Sequence, residues 1–130
     1  MADKSLILII DDTADFREIF SLKLKAAGYE VIEASGGEEG ISKIKASHPD
    51  LVLLDMEMPG LNGVDTLIKI KGDSDIKDTK VVFLTSYGEP QENQAWLDNK
   101  FAEELGATDY IRKTDDLDKT IAQIKENAHK

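Results

Sequence analysis

Short apolar runs separated by longer amphipathic stretches recur along this chain and leave few folds open to it. Three of these runs have no polar position, namely Leu6–Ile10, Leu51–Leu54 and Val81–Leu84. Such continuous runs are typical of strands buried on both faces. Two weaker strands are predicted at Tyr29–Glu33, which alternates like an edge strand, and at Thr108–Ile111.

Apolar residues at helical spacing follow each of the five predicted strands, and Gly28, Gly72 and Gly106 are placed to end three of the helices. The apolar positions, helix by helix, are Phe16, Ile19, Phe20, Leu22 and Leu24; Ile41 and Ile44; Val64, Leu67, Ile68 and Ile70; Leu97, Phe101 and Leu105; and Leu117, Ile121 and Ile124. Five repeats of strand then helix predict an α/β fold, in which right-handed crossovers cover both faces of a parallel sheet with helices.

Length and composition exclude several classes of protein. A chain of 130 residues predicts a single domain, 1–130, with a core of about 5–127. The absence of cysteine excludes disulfide scaffolds, thiol nucleophiles and cysteine-ligated metals. A net charge of −10 disfavours nucleic acid and attracts divalent cations. No apolar run can span a bilayer and no signal peptide is recognisable, so we expect a cytoplasmic protein without membrane association.

Polar groups directly follow four of the predicted strands. Asp11 and Asp12 follow the first strand, Asp55 the third, Thr85 the fourth and Lys113 the fifth, where it comes after an arginine. In doubly wound sheets of this kind the functional site lies beyond the carboxyl ends of the strands. We therefore expect these side chains to converge at one edge of the sheet.

Each of these groups alone has an ordinary explanation, because acidic residues often cap helices or form turns. Their convergence is more informative, since several carboxylates within a few ångströms repel one another unless a cation compensates them. Hard carboxylate oxygens with room for water suit Mg²⁺. A carboxylate beside Mg²⁺ can attack a phosphoryl group while the metal and a lysine neutralise the transition state, and a hydroxyl can bind a phosphoryl oxygen.

Four segments in this order carry a family resemblance. They are Leu8–Asp12; Pro49–Asp55, running on through Met58-Pro59-Gly60 to Asn62-Gly63; Val81–Ser86; and Gly106–Lys113. With them the chain resembles a response-regulator receiver domain of two-component signalling over residues 5 to about 127. The resemblance implies a flavodoxin-like (βα)5 fold with a five-stranded parallel sheet in the order 2-1-3-4-5.

The resemblance also implies a role for each residue at the site. Asp55 would be the phospho-acceptor, and Mg²⁺, with Mn²⁺ as a substitute, would be bound by Asp12, Asp55 and the backbone carbonyl of Glu57, with Asp11 acting mainly through water. Three further residues would respond to the phosphoryl group. Lys113 would pair with it, Thr85 would donate a hydrogen bond to it, and Tyr110 would turn inward as the aromatic switch.

The implied partners are a sensor histidine kinase or a histidine phosphotransfer protein. An unidentified downstream target would dock near the fourth predicted helix, the fifth strand and the closing helix. The protein would catalyse only its own phosphorylation and dephosphorylation. It would be a monomer or a weak, phosphorylation-dependent dimer, and no DNA-binding segment is recognisable in the chain.

The sequence departs from the family pattern in three places. Thr114 stands where proline usually follows the lysine, Glu57 adds a carboxylate beside the acceptor, and the segment 86–100 is longer than usual. We expect Glu57 and Tyr87 to influence the lifetime of the phosphoryl group. Trp96 in the long segment is either a partner contact or a cover for that segment.

Three alternatives come from other functional classes. A metal-dependent phosphohydrolase would usually carry an Asp-x-Asp motif at the first strand and a longer chain that forms a substrate pocket. A small flavin carrier would need a phosphate loop where Asp11 and Asp12 would repel the phosphate. A pseudo-receiver would bind partners without phosphorylation; the set of Asp12, Asp55, Thr85 and Lys113 argues against it, whereas the missing proline favours it.

Overall fold

The central sheet of the computed structural model is parallel, and its first four strands lie in the order β2-β1-β3-β4. The structure describes residues 5–56, 58, 60–85, 104, 106–112 and 117–128. The strands are β1 (Leu6–Ile10), β2 (Glu30–Ala34), β3 (Leu51–Asp55), β4 (Val81–Thr85) and β5 (Asp109–Arg112), which pairs with β4. The predicted α/β fold with a parallel sheet is confirmed.

Four helices are described around this sheet. They are α1 (Ala14–Ala26), α2 (Gly37–Ser47), α3 (Gly63–Lys71) and α4 (Leu117–Ala128). The helix predicted around Leu97 to Leu105 falls almost entirely outside the described residues. Every helix among the described residues is too short or too polar to span a bilayer.

The three central strands β1, β3 and β4 are almost entirely apolar because their alternating residues enter two separate cores. Leu8 and Ile10 of β1 join a cluster with Ile44 of α2 and Leu67 of α3. Their neighbours in β1 point the opposite way and form a second cluster, whose members include Ile7, Ile9, Phe20, Leu24, Ile121 and Ile124. This second cluster packs against α1 and α4. The helices therefore cover both faces of the sheet, as predicted.

The apolar residues of α1 do not all face the core. Phe20 and Leu24 are fully buried, whereas Ile19 is 49% and Leu22 63% exposed. The Phe16 ring stacks on Phe20 with 4.5 Å between ring centroids. Ile68 of α3 is likewise half exposed. Apolar spacing predicted α1 and α3 correctly, but it did not separate their core-facing residues from the solvent-facing ones.

A compact turn over residues 73–79 connects α3 to β4 and was not predicted. Ile76 in this turn is buried against the α2–α3 core. Lys71 fastens the turn to α3, since its Nζ donates to the carbonyls of Lys77 at 2.9 Å and Thr79 at 3.1 Å. Burial lowers the pKa of the Lys71 ammonium.

Candidate metal centre

Three carboxylates converge at the carboxyl end of the sheet. One carboxylate oxygen from each of Asp11, Asp12 and Asp55 lies within 4.8 Å of the others. Asp11 is fully buried and Asp55 is 3% exposed, whereas Asp12 is open to solvent. The three aspartates thus form a cluster with two buried members and one accessible member.

The register of β1 and β3 brings two of these residues side by side. Ile10 pairs with Leu54, so Asp11 and Asp55 come next on neighbouring strands. The main-chain N–H of Asp11 donates to the carbonyl of Ala34 at 3.1 Å, which continues the pairing of β1 with β2. The Asp11 Oδ1 accepts a hydrogen bond of 2.8 Å from the main-chain N–H of Thr13. β2 therefore holds the backbone of Asp11, and the β1–α1 turn holds its carboxylate.

Asp55 is the last residue of β3, and the chain just after it is held from two sides. The N–H of Met56 donates to the carbonyl of Leu84 at 2.9 Å, and the N–H of Gly63 donates to the carbonyl of Met56 at 3.1 Å. A Cβ on Gly63 would lie 2.4 Å from the carbonyl oxygen of Asp55. Only glycine lets the start of α3 approach Asp55 this closely.

Asn62 fixes where α3 begins. Its Oδ1 accepts a hydrogen bond of 2.8 Å from the N–H of Asp65, as an N-cap residue does. The Thr66 hydroxyl also donates to the Asn62 carbonyl at 2.7 Å. Asn62 and Gly63 therefore define where the loop that follows Asp55 ends and α3 begins.

Arg17 lies next to the carboxylate cluster, and the sequence did not predict it as a site residue. Its Nη1 donates to the main-chain carbonyl of Asp11 at 2.6 Å, and its Nε pairs with Glu33 Oε1 at 3.3 Å. Nothing in the sequence indicates this contact, because it joins α1, the β1–α1 turn and β2.

The remaining predicted site residues are placed by backbone only or lie outside the described residues. Thr85 ends β4 and pairs with Arg112 of β5, and Tyr110 pairs with Phe83. Lys113 comes directly after β5, outside the described residues. Four other residues singled out in the sequence also lie outside them: Glu57, Tyr87, Trp96 and Thr114.

The carboxylate cluster fits a hard divalent cation. Two buried carboxylates and a third accessible one repel one another, and a cation among their oxygens would relieve that repulsion. The donor atoms are all oxygens, and the exposed side of Asp12 leaves room for water molecules as further ligands. Asp11, Asp12 and Asp55 are therefore the described residues that could hold a metal ion.

Comparison with known proteins gives the family. A family model for the response regulator receiver domain matches residues 7–125. The chain belongs to this family. As a receiver domain it is 37% identical over 120 residues to the phosphate regulon transcriptional regulatory protein PhoB of Pseudomonas aeruginosa, covering 92% of this chain and 49% of PhoB. It is 39% identical over 110 residues to a probable transcriptional regulator ycf27 of Porphyridium aerugineum, covering 85% and 42%.

Solved structures share the architecture of this receiver domain. The response regulator protein TrrA of Thermotoga maritima, in complex with Mg²⁺-BeF, superposes with a TM-score of 0.78 at 30% identity and covers 95% of this chain and 98% of that one. The chemotaxis response regulator CheY4 of Vibrio cholerae has a TM-score of 0.82 at 24% identity, with 96% and 99% covered, and so shares the CheY-like fold. The chain spans about half the length, or less, of the curated relatives named above.

Proposed function

We propose that this receiver domain accepts a phosphoryl group on Asp55 in a Mg²⁺-dependent reaction. One observation carries the proposal: Asp55 is almost fully buried at the end of β3, with a carboxylate oxygen within 4.8 Å of oxygens from Asp11 and Asp12. Buried carboxylates in such a group repel one another unless a cation offsets their charge. The same cation would reduce the repulsion between the Asp55 carboxylate and an anionic phosphoryl donor.

Mg²⁺ is the ion we assign to the cluster, with Mn²⁺ as a substitute. Asp12, Asp55 and the backbone carbonyl of Glu57 would bind it directly, and Asp11 would act mainly through water. The Mg²⁺-BeF complex of TrrA supports this choice, because that protein is a response regulator of the same fold. When bound, the ion supplies positive charge that offsets the charge of the carboxylates and of the phosphoryl oxygens.

The transfer step uses one carboxylate oxygen of Asp55 as the nucleophile. This oxygen attacks phosphorus while the bond from phosphorus to the imidazole nitrogen of the donor phosphohistidine breaks, leaving an aspartyl phosphate and a free histidine. Lys113 would then pair with the phosphoryl group, and Thr85 would donate a hydrogen bond to it. Tyr110 would follow by turning inward, which gives a two-state element biased by a local charge.

The same proposal covers the domain, its partners and its location. Residues 1–130 would form one receiver domain, with a fourth helix before β5 completing a (βα)5 fold in the order 2-1-3-4-5. A sensor histidine kinase or a histidine phosphotransfer protein would supply the phosphoryl group in the cytoplasm. Once Asp55 is phosphorylated, the face formed by the helix predicted before β5, β5 itself and α4 would dock a target, or the protein would pair weakly with a second copy. The protein would turn over no other substrate.

Intact-mass spectrometry tests this proposal with the whole chain. The protein is incubated with acetyl phosphate or phosphoramidate, with Mg²⁺ and with the metal chelated. We expect a gain of one phosphoryl group that requires Mg²⁺ and is absent in Asp55→Asn. A wild type that gains nothing under excess metal would favour a pseudo-receiver, and steady turnover of a generic phosphomonoester would favour a phosphohydrolase.

A further inference from the structure

We propose that Arg17 is a positioning residue for the metal centre, which it supports by holding the main chain of Asp11. This inference rests on the proposed function, because it concerns the same Mg²⁺ site. Arg17 lies in the first turns of α1 and reaches back across the β1–α1 turn. It acts on the carboxylate cluster through a main-chain carbonyl and is not itself assigned as a ligand.

The contact from Arg17 to Asp11 is short and largely shielded from water. Arg17 Nη1 lies 2.6 Å from the Asp11 carbonyl oxygen, and the Arg17 side chain is only 18% exposed. Hydrogen bonds donated by a charged group are shorter and stronger than neutral ones. This bond therefore restrains the peptide unit between Asp11 and Asp12.

Arg17 is itself held by the end of β2. Its Nε is 3.3 Å from Glu33 Oε1, so the guanidinium bridges Glu33 and the Asp11 carbonyl. The Nζ of Lys43 on α2 donates to the main-chain carbonyl of Glu33. The support behind Asp11 thus extends from α1 through β2 to α2, and the planar guanidinium suits two acceptors at once.

With Arg17 in place, Asp11 is fixed at three atoms. Its N–H donates to the Ala34 carbonyl, its carbonyl accepts from Arg17, and its Oδ1 accepts from the N–H of Thr13. These bonds set the direction in which the carboxylate faces Asp12 and Asp55. Outer groups that orient a metal-binding residue commonly affect metal affinity by about 10- to 100-fold.

The sign of the effect separates positioning from simple electrostatics. A cation beside an acidic cluster repels Mg²⁺, so removing its charge should strengthen Mg²⁺ binding if charge alone matters. Removing a positioning group should weaken binding, because the Asp11 carboxylate loses its fixed direction. The two explanations of Arg17 therefore predict opposite changes in the dissociation constant for Mg²⁺.

Titration calorimetry of Mg²⁺ into the full chain measures this change. We expect Arg17→Gln to bind Mg²⁺ about tenfold more weakly than the wild type. Lys23→Gln is the matched control: Lys23 lies on the same helix, and its ion pair at 3.6 Å is to Asp118 of α4, away from the cluster. It removes the same charge and should leave the affinity unchanged or slightly stronger.

A second variant covers the case in which Arg17→Gln does not fold. Arg17→Lys keeps the charge but provides no fork for two acceptors, so its affinity should fall between those of the wild type and the glutamine variant. Unchanged or tighter binding in both folded variants, or in the lysine variant alone if only that one folds, would overturn the inference. A wild type that binds no Mg²⁺ would instead overturn the proposed function.

Discussion

At the scale of single residues, the aspartate cluster is a destabilising feature that a metal ion, once bound, would offset. Asp11 and Asp55 are buried beside each other, and Asp12 adds a third negative charge within 4.8 Å. Such an arrangement costs folding free energy in the absence of metal, since like charges at this distance repel. The cluster therefore lowers the stability of the metal-free protein and at the same time forms a site that a cation can occupy.

Replacing Asp12 by Asn should stabilise the metal-free protein. Asp12 is exposed, so the relief is close to the value for unit charges in water, about 1 kcal/mol at 4 Å. Urea unfolding in the presence of a chelator measures the gain. With Mg²⁺ added, the wild type should become more stable and the Asp12→Asn variant should respond less.

Asp15→Asn is the control for this change. Asp15 is also exposed and lies in the first turn of α1, where its charge is favourable. We expect no stabilisation from it. Equal stabilisation by both substitutions would mean that the high negative charge of the protein, rather than the cluster, accounts for the effect.

At the scale of elements, close packing of α3 against the end of β3 fixes the backbone of the proposed acceptor. Gly63 occupies the point of closest approach, and its N–H also donates to Met56. The opposing atoms are main-chain atoms, which cannot rotate away as a side chain can. The start of α3 is therefore part of the site although it contributes no ligand.

Gly63→Ala should cost about 1–3 kcal/mol of unfolding free energy, as overpacking does. The added Cβ would lie 2.4 Å from the Asp55 carbonyl oxygen and 2.7 Å from the Met56 Cα, so the backbone of Asp55 must shift. The rate of phosphorylation from acetyl phosphate should fall as well.

Gly36→Ala is the matched control, because its Cβ would meet nothing within 4 Å and its φ of −164° is extended backbone that any residue adopts. Urea unfolding and the phosphorylation rate should both stay near the wild-type values. If Gly63→Ala also leaves both unchanged, the packing account of the acceptor loop is wrong.

A second element-scale prediction concerns the link between α2 and the turn after α3. Lys45 Nζ lies 2.8 Å from Asp73 Oδ2, and the hydrogen bond from Lys45 lowers the pKa of the Asp73 carboxyl, with help from the N–H of Asp75. A lowered pKa means that the folded state favours the carboxylate. The stabilisation is present above the unfolded pKa of about 3.9 and is lost as the pH falls through the lower folded value.

Asp73→Asn tests this because the amide oxygen can still accept the turn hydrogen bond from Asp75. We expect the variant to be less stable than the wild type at neutral pH. Below about pH 4 the difference should shrink as the pH falls through the lowered pKa of folded Asp73, since the protonated side chain is then uncharged like asparagine. Glu126→Gln removes an exposed charge on α4 and should show no such pH-dependent difference in urea unfolding. A gap for Asp73→Asn that persists in acid would contradict the ion-pair explanation.

At the scale of the whole molecule, the sequence was sufficient for the features that depend on period and order. Strands buried on both faces leave unbroken apolar runs, so β1 was predicted at its observed bounds, Leu6–Ile10. A parallel sheet brings its strand ends to one edge, so the meeting of Asp11, Asp12 and Asp55 was predicted too. Both results follow from geometry that every sheet of this type shares.

The features that the sequence did not reveal depend on contacts between distant elements. Apolar spacing cannot show that Leu22 faces solvent while Leu24 is buried, because both fit the same helix. Two further features arise only once strands and helices pack. One is the lack of space for a side chain at position 63, and the other is the hydrogen bond from Arg17 to the Asp11 carbonyl. These contacts support the site without contributing to its recognisable motif.

Locating the phosphoryl group within the chain shows whether Asp55 is the acceptor. After reaction with acetyl phosphate and Mg²⁺, borohydride reduction converts an aspartyl phosphate to homoserine, and tandem mass spectrometry of the digest identifies the altered residue. We expect homoserine at position 55 and none in a sample prepared without metal. Reduction at another carboxylate, or an unmodified Asp55 under excess donor and Mg²⁺, would contradict it.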